Sequence, residues 1–409
     1  MRTRFTWMVA ILVLVSIGVL VACSTKYSSS SDGLVVVPDQ GDYVIQSFSV
    51  NLSNGAISTI NNVNGPPANG IPTSVILDPP GAFAYVIVQA NPAVPASVNG
   101  ISTFQIASDG KLAYIATTQL TNPVAMAMDS AGKFLFVANG SEGTISVFSI
   151  GSNASLTEIT GSPFAVPLPL GGQNPVASAL AVTPTLYPRL YSSCSGQTVP
   201  TTENLYVTDS VNYLLLSFSV DPSAGTLALV APAPNITGVP TGPVPDGVAI
   251  DPCNRFAYVA NGDSSGSGAN TVSAYTMCSV VSLPTCQSVD FSLHPVTGSP
   301  YPTQGTSPGP ITVDAYGNFL YVVNTGSYQV SEFRISPSTG ALGALSPANV
   351  NTGVGPNSIA VRSDDSFVFV ANMTSNTVTQ YSIGLSTGVL TTIGGPISTF
   401  NYPSGVAVK

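Results

Sequence analysis

Seven times along the chain a proline opens a short apolar run: PTSVILD at 72, PVAMAMD at 123, PVASALA at 175, PDGVAID at 245, PGPITVD at 308, PNSIAVR at 356 and PSGVAVK at 403. Each of the first six is followed by a second β-rich run, ending at Val88, Asn139, Asp209, Asn261, Asn324 or Asn372. A third run carries an aromatic at Phe104, Phe148, Phe218, Tyr275, Phe333 or Tyr381. Where no insertion intervenes, Asn or Asp and aromatic are nine residues apart, as from 139 to 148 and from 324 to 333. A turn such as STGALGAL or STGVLTTI then leads into a fourth run. A four-stranded unit of this length cannot bury both of its faces alone. Stacked radially against copies of itself it can, and the repeat predicts an all-β propeller of four-stranded antiparallel blades.

The seventh copy stops after its first strand, at Lys409, and its missing part lies at the other end of the chain. GLVVVPDQGDYVIQSFSV, residues 33–50, supplies a second and a third strand, with Asp39 and Phe48 again nine apart. Pairing the C-terminal strand with these N-terminal strands closes a ring of seven blades and removes the open sheet edges. The first strands alternate small and large residues, as in Ala125, Met126, Ala127 and Met128. With a side-chain period of two, the large residues face one neighbouring blade and the small ones the other.

The N-terminus, MRTRFTWMVAILVLVSIGVLVACSTK, has a basic start, an apolar stretch from Trp7 to Ala22 and then Cys23. It reads as an export signal over 1–22, with a tether over 23–32 and the propeller over 33–409. The tail LVAC resembles the lipobox of bacterial lipoproteins, which implies acylation of Cys23, membrane attachment through the lipid, and an outer-membrane or cell-surface location. Export puts Cys194, Cys253, Cys278 and Cys286 in an oxidising compartment, where two disulfides have three possible connectivities. Placement on neighbouring connections favours Cys194 with Cys253, and the short span favours Cys278 with Cys286.

The strings YVAN, FVAN and YVVN resemble the YVTN repeats of the seven-bladed lactonase-like propellers. That resemblance covers 33–409 and implies the same fold, in a family that includes 6-phosphogluconolactonase-like enzymes. The only Trp, Trp7, lies in the signal, unlike the Trp-bearing repeats of quinoprotein and WD-repeat propellers.

Chemistry is harder to find. Charged residues make up 7% of the chain and the net charge is −9, which excludes a nucleic-acid partner. The only His, His294, falls in an outer strand, and no G-x-S-x-G, HExxH or phosphate-cradling Gly loop is present. The alternating strand layout places Asp39, Asp42, Glu142, Asp209, Asp246 and Asp263 on the face where blades connect, with no Lys or Arg beside them. This acidity argues against a phosphorylated sugar lactone as ligand. The polar residues singled out as candidate ligand contacts are Asp39, Asn139, Asp209, Asp246, Asn261, Asn324 and Asn372. Their ordinary role is turn chemistry; their functional one is a hard-cation site, with Ca2+ as the cofactor it would take. No catalytic residue is assigned and no other metal or cofactor is expected. The absent catalytic set leads to the expectation of a monomeric, lipid-anchored, non-catalytic scaffold that meets a protein or glycan partner. A lactonase-like hydrolase, 6-phosphogluconolactonase-like or cation-dependent, is the alternative.

Overall fold

The computed structural model describes residues 32–60, 67–92, 97–184, 202–231, 237–262, 270–279, 286, 288 and 290–409. Seven antiparallel sheets form the blades of a propeller. In chain order, the first strands of blades one to six are Ile71–Leu77, Pro123–Met128, Ala177–Val182, Pro245–Ile250, Pro308–Val313 and Pro356–Val361. Blade seven joins Ala407–Val408 to Asp32–Asp39, Val44–Asn51 and Ile57–Thr59. The ring therefore closes as the sequence predicts, with Val35 opposite Val408 and Val36 opposite Ala407.

Blade packing follows from the two-residue period of the second strands. In blade two, Leu135 and Val137 pack with Tyr85 and Ile87 of blade one. Phe134, Phe136 and Ala138 turn the other way, onto Leu205 and Val207 of blade three. The aromatics Phe48, Phe104, Phe148, Phe218, Tyr275, Phe333 and Tyr381 are all buried.

Fourth strands depart from the single strand expected. In blades two, three, four and six the fourth strand is in two pieces, and in blades two, four and six a turn parts them: Leu156–Glu158 and Phe164–Ala165, for example, both pair with Thr144–Ile150. Gly161 and Gly298, at φ +90 and +91, make two of these turns with backbone geometry open to glycine. Blades one and five keep long outer strands, Leu112–Gln119 and Leu342–Asn351.

Cys278 and Cys286 form the expected disulfide. Cys253 is also disulfide-bonded; its expected partner Cys194 lies outside the described residues, as do Cys23, Asp263 and the signal segment.

Candidate active site at the channel mouth

The first strands line a central cavity of about 690 Å3. Val75, Met126, Leu180, Val248, Ile311 and Val406 are among the lining side chains, and polar atoms make up about as much of the wall as apolar ones. One structural device decides what stands at its mouth. Every first strand carries an irregular extra residue just after its start. Thr73, Val124, Ser178, Asp246 and Asn357 each lie within a register shift against the second strand, and in blade five Gly309 and Pro310 do so together. In blade seven, the span from Pro403 to Ala407 is one residue longer than the span from Asp39 to Val36 that it faces, which puts Ser404 in the corresponding place. A bulge bends the strand and re-aims the side chain.

Four links stitch this rim between blades, each donating to the opening residue of the next one. Ser178 Oγ donates to the Pro245 carbonyl at 2.8 Å, Asn357 Nδ2 to Pro403 at 3.0 Å, Ser404 Oγ to Pro72 at 2.7 Å and Gln89 Nε2 to Pro123 at 2.6 Å. Asp246 occupies the same rim position in blade four and makes no hydrogen bond among the described residues. Its carboxyl lines the cavity, reached by water yet walled by protein, and burial raises its pKa above the ordinary carboxylate value. Room for it comes from Gly309 next door: a Cβ there would lie 2.8 Å from Asp246 Oδ2. Ser74, Ser178 and Ser358 also line the cavity.

The two ends of the cavity differ in charge. At the far end are Asp78 and Lys409, whose Nζ approaches the Gly81 carbonyl at 3.4 Å. Among the described residues every Lys and Arg belongs to that end, namely Lys111, Lys133, Arg255, Arg334, Arg362 and Lys409. Asp39, Asp42, Glu142, Asp209 and Asp246 belong to the other, as the strand layout predicts.

Of the seven candidate contacts, only Asp246 lines this cavity. The other six are buried at the ends of second strands, where all but Asp39 form hydrogen bonds that hold their blades together. Asn261 Oδ1 accepts from the Gly242 backbone at 3.1 Å, and Asn372 Oδ1 from Gly353 at 3.0 Å, so each amide pins the segment that enters its own blade. The amide nitrogens of Asn139, Asn324 and Asn372 donate to third-strand hydroxyls, Ser146, Ser331 and Thr379. Asp209 accepts from the backbone of Val176, Val211 and Asn212. Asp39 is fully buried, with neither oxygen in a well-formed hydrogen bond. Burial first, then the Asp42 charge, pushes it up to about 7 against a smaller lowering by backbone amides of Asn401, Asp42 and Gly41. Sequence reasoning did not single out Ser74, Ser178, Ser358 or Gly309; the available signal was only that each falls one to three residues after the proline that opens its blade. Among the described residues, no group of three or more His, Cys, Asp or Glu comes together in a geometry that could hold a metal ion.

The fold is shared with several solved structures. The periplasmic gluconolactonase PpgL of Pseudomonas aeruginosa superposes with a TM-score of 0.70 at 18% identity, over 92% of this chain and 99% of that one. A candidate 6-phosphogluconolactonase of Bacteroides fragilis gives 0.69 at 19%, over 93% and 99%. A protein from Lactobacillus plantarum gives 0.69 at 17%, over 92% and 99%. No curated protein sequence matches the chain. Residues 25–167 and 269–409 match the family model described as "Lactonase, 7-bladed beta-propeller". The non-catalytic scaffold expected from the sequence is therefore corrected in favour of the hydrolase alternative, which the match to the lactonase family model favours. The expectation failed because it searched for a local motif, whereas a propeller gathers its rim one residue per blade. With well over half of its length matched, the chain belongs to the lactonase family of seven-bladed β-propellers.

Proposed function

We propose that this protein is a lactonase-type hydrolase acting on unphosphorylated lactones at the Asp246 mouth of the channel. The carrying observation is Asp246 itself, a carboxyl without a hydrogen-bond partner among the described residues, held at the rim by a bulge and raised by burial. A carboxyl whose pKa is raised holds its proton more readily than an ordinary one and is suited to general acid–base work. Ionised Asp246 takes a proton from water as the water oxygen bonds to the lactone carbonyl carbon. In this reading the tetrahedral oxyanion accepts hydrogen bonds from hydroxyls that line the cavity, with Ser74 and Ser358 as the candidates. Collapse breaks the ring C–O bond, and the alkoxide regains the proton from Asp246. The sum is lactone plus water giving a hydroxy acid.

Substrate charge follows from the end of the channel used. Asp246 and its acidic neighbours offer no cation for a phosphate, so a neutral lactone enters against no repulsion. The segment that carries Asp246 lies outside the residues matched to the family, so its role rests on geometry alone. Hydrolysis of glucono-1,5-lactone and of 6-phosphogluconolactone, each measured against its spontaneous rate, tests the reading. Saturable catalysis with the unphosphorylated lactone is expected; catalysis confined to the phosphorylated one would overturn it.

The Cys278–Cys286 disulfide suits an oxidising, extracytoplasmic setting. Among the described residues no helix is long and apolar enough to cross a membrane. The Cys23 motif supports export and attachment by a lipid, with the signal removed before Cys23.

A further inference from the structure

We propose that the acidic face carries a binding surface for neutral polysaccharide, with Tyr43, Tyr213, Tyr328 and Tyr402 as aromatic platforms. The inference stands apart from the lactonase reading and rests on an anomaly repeated in several blades. Five blades connect second and third strands by a loop of four residues, between Asp39 and Val44, Asn139 and Thr144, Asp209 and Leu214, Asn324 and Gln329, and Asn372 and Thr377. The last loop residue is left-handed in all five: Tyr43, Gly143, Tyr213, Tyr328 and Asn376 have φ of 57, 57, 55, 58 and 56. Glycine and asparagine adopt this conformation with little strain, and a bulky aromatic does not. Gly143 and Asn376 show that the loop forms without tyrosine. Three tyrosines at this position therefore cost conformational free energy that the fold does not require.

Nor are they packed away. Tyr43, Tyr213 and Tyr328 are 38%, 43% and 43% exposed, and their hydroxyls make no hydrogen bond among the described residues. In blade six, where the loop ends in Asn376, an aromatic arrives from elsewhere: the Tyr402 backbone N–H donates to Asn376 Oδ1 at 2.8 Å, and Tyr402 is also left-handed and 49% exposed. Tyr402 borders the Tyr43 loop as well, with Cδ2 3.1 Å from where a Cβ on Gly41 would sit.

An exposed ring with a free hydroxyl matches a ligand that has one apolar face and hydroxyls at its edge, as a pyranose does. The face has acids and, among the described residues, no cations, which disfavours anionic glycans. Tyr43, Tyr213 and Tyr328 belong to blades seven, three and five, separated by polar turns, so they do not form the continuous apolar centre of a protein interface. A repeating neutral chain can touch separated platforms in succession.

The test is titration calorimetry of the mature chain with cellohexaose, maltoheptaose and chitohexaose. Wild type is expected to bind at least one of them. The triple variant Tyr43→Asn, Tyr213→Asn, Tyr328→Asn is expected to bind at least about tenfold more weakly, while melting at the same or a higher temperature because asparagine relieves the strained loops. The corresponding Tyr→Phe variant, which keeps the rings, is expected to retain binding. Absence of binding by wild type to all three oligosaccharides would overturn the proposal. So would undiminished binding by the asparagine variant, or a markedly lower melting temperature, which would show the tyrosines to be structural.

Discussion

Glu332 sits one residue before the buried Phe333 in blade five, and Gln380 holds the same place before Tyr381 in blade six. Both cross to the outer strand of the next blade: Glu332 Oε2 accepts from the Leu390 backbone at 3.1 Å, and Gln380 Oε1 from Ile57 at 3.0 Å. The amide does this without charge. Glu332 leaves Oε1 buried and unpartnered, and burial raises its pKa to about 7. A carboxyl raised on folding favours the protonated native state. Its stabilising contribution is complete below the unfolded pKa, is lost as pH rises through about 7, and is absent above it. Glu332→Gln should therefore leave stability at pH 5 nearly unchanged and raise it at pH 8.5 by on the order of 1–2 kcal/mol. Denaturant melts at the two pH values check this; an equal effect at both would contradict it. Also at the scale of one residue, Cys23→Ala should move the protein from the membrane to the soluble fraction, measured by fractionation.

The turn between third and fourth strands shows how much an element reveals in sequence. The STG-type motif marks it, but the strings do not say why glycine is needed. In the structure, a Cβ on Gly340 would fall 2.4 Å from the ring of Phe256 in the preceding blade; Gly225, Gly388 and Gly55 meet Phe134, Phe319 and Phe367 in the same way. These glycines also have φ between 72 and 77. Gly340→Ala should thus destabilise by about 2–4 kcal/mol through strain and overpacking together, measured by denaturant unfolding. Strand order, blade boundaries and the buried aromatics were legible because period-two alternation and turn residues are local signals. The split fourth strands and the first-strand bulges were not, because both depend on where a neighbouring strand sets its register. For the same reason Asp246 looked in sequence like one acidic residue among several. Its distinction, facing the cavity without a partner among the described residues, arises only when all the first strands are assembled. The recurring Asn was legible as an element marker, while its work in pinning the incoming segment was not.

At the scale of the whole molecule, the ring depends on a short seam. Blade seven borrows Ala407–Val408, and the seam adds bonds from Gln40 to the Tyr402 carbonyl at 3.0 Å, Gly41 to Asn401 at 2.7 Å, Ser404 to Pro38 at 2.9 Å and Lys409 to Leu34 at 2.9 Å. Val406 and Ala407 bury apolar surface on either side, in the clusters shared with blades six and one. Ending the chain before Pro403 should cost several kcal/mol, at roughly 25 cal/mol per Å2 of apolar surface exposed, and leave the inner edge of Asp32–Asp39 unpaired. A lowered melting temperature with increased aggregation is expected; melting like the intact chain would contradict the seam's importance. The closed ring also fixes the geometry on which catalysis is proposed to depend, with the rim at one end and all described cations at the other. The most direct measurement is the pH dependence of glucono-1,5-lactone hydrolysis by wild type and by Asp246→Asn, corrected for spontaneous opening. The account predicts wild-type kcat that rises with pH as Asp246 ionises, and a loss of about 10²–10⁴ in kcat, with that pH dependence removed, in the variant. Equal catalysis by the two proteins, with the same pH profile, would contradict it.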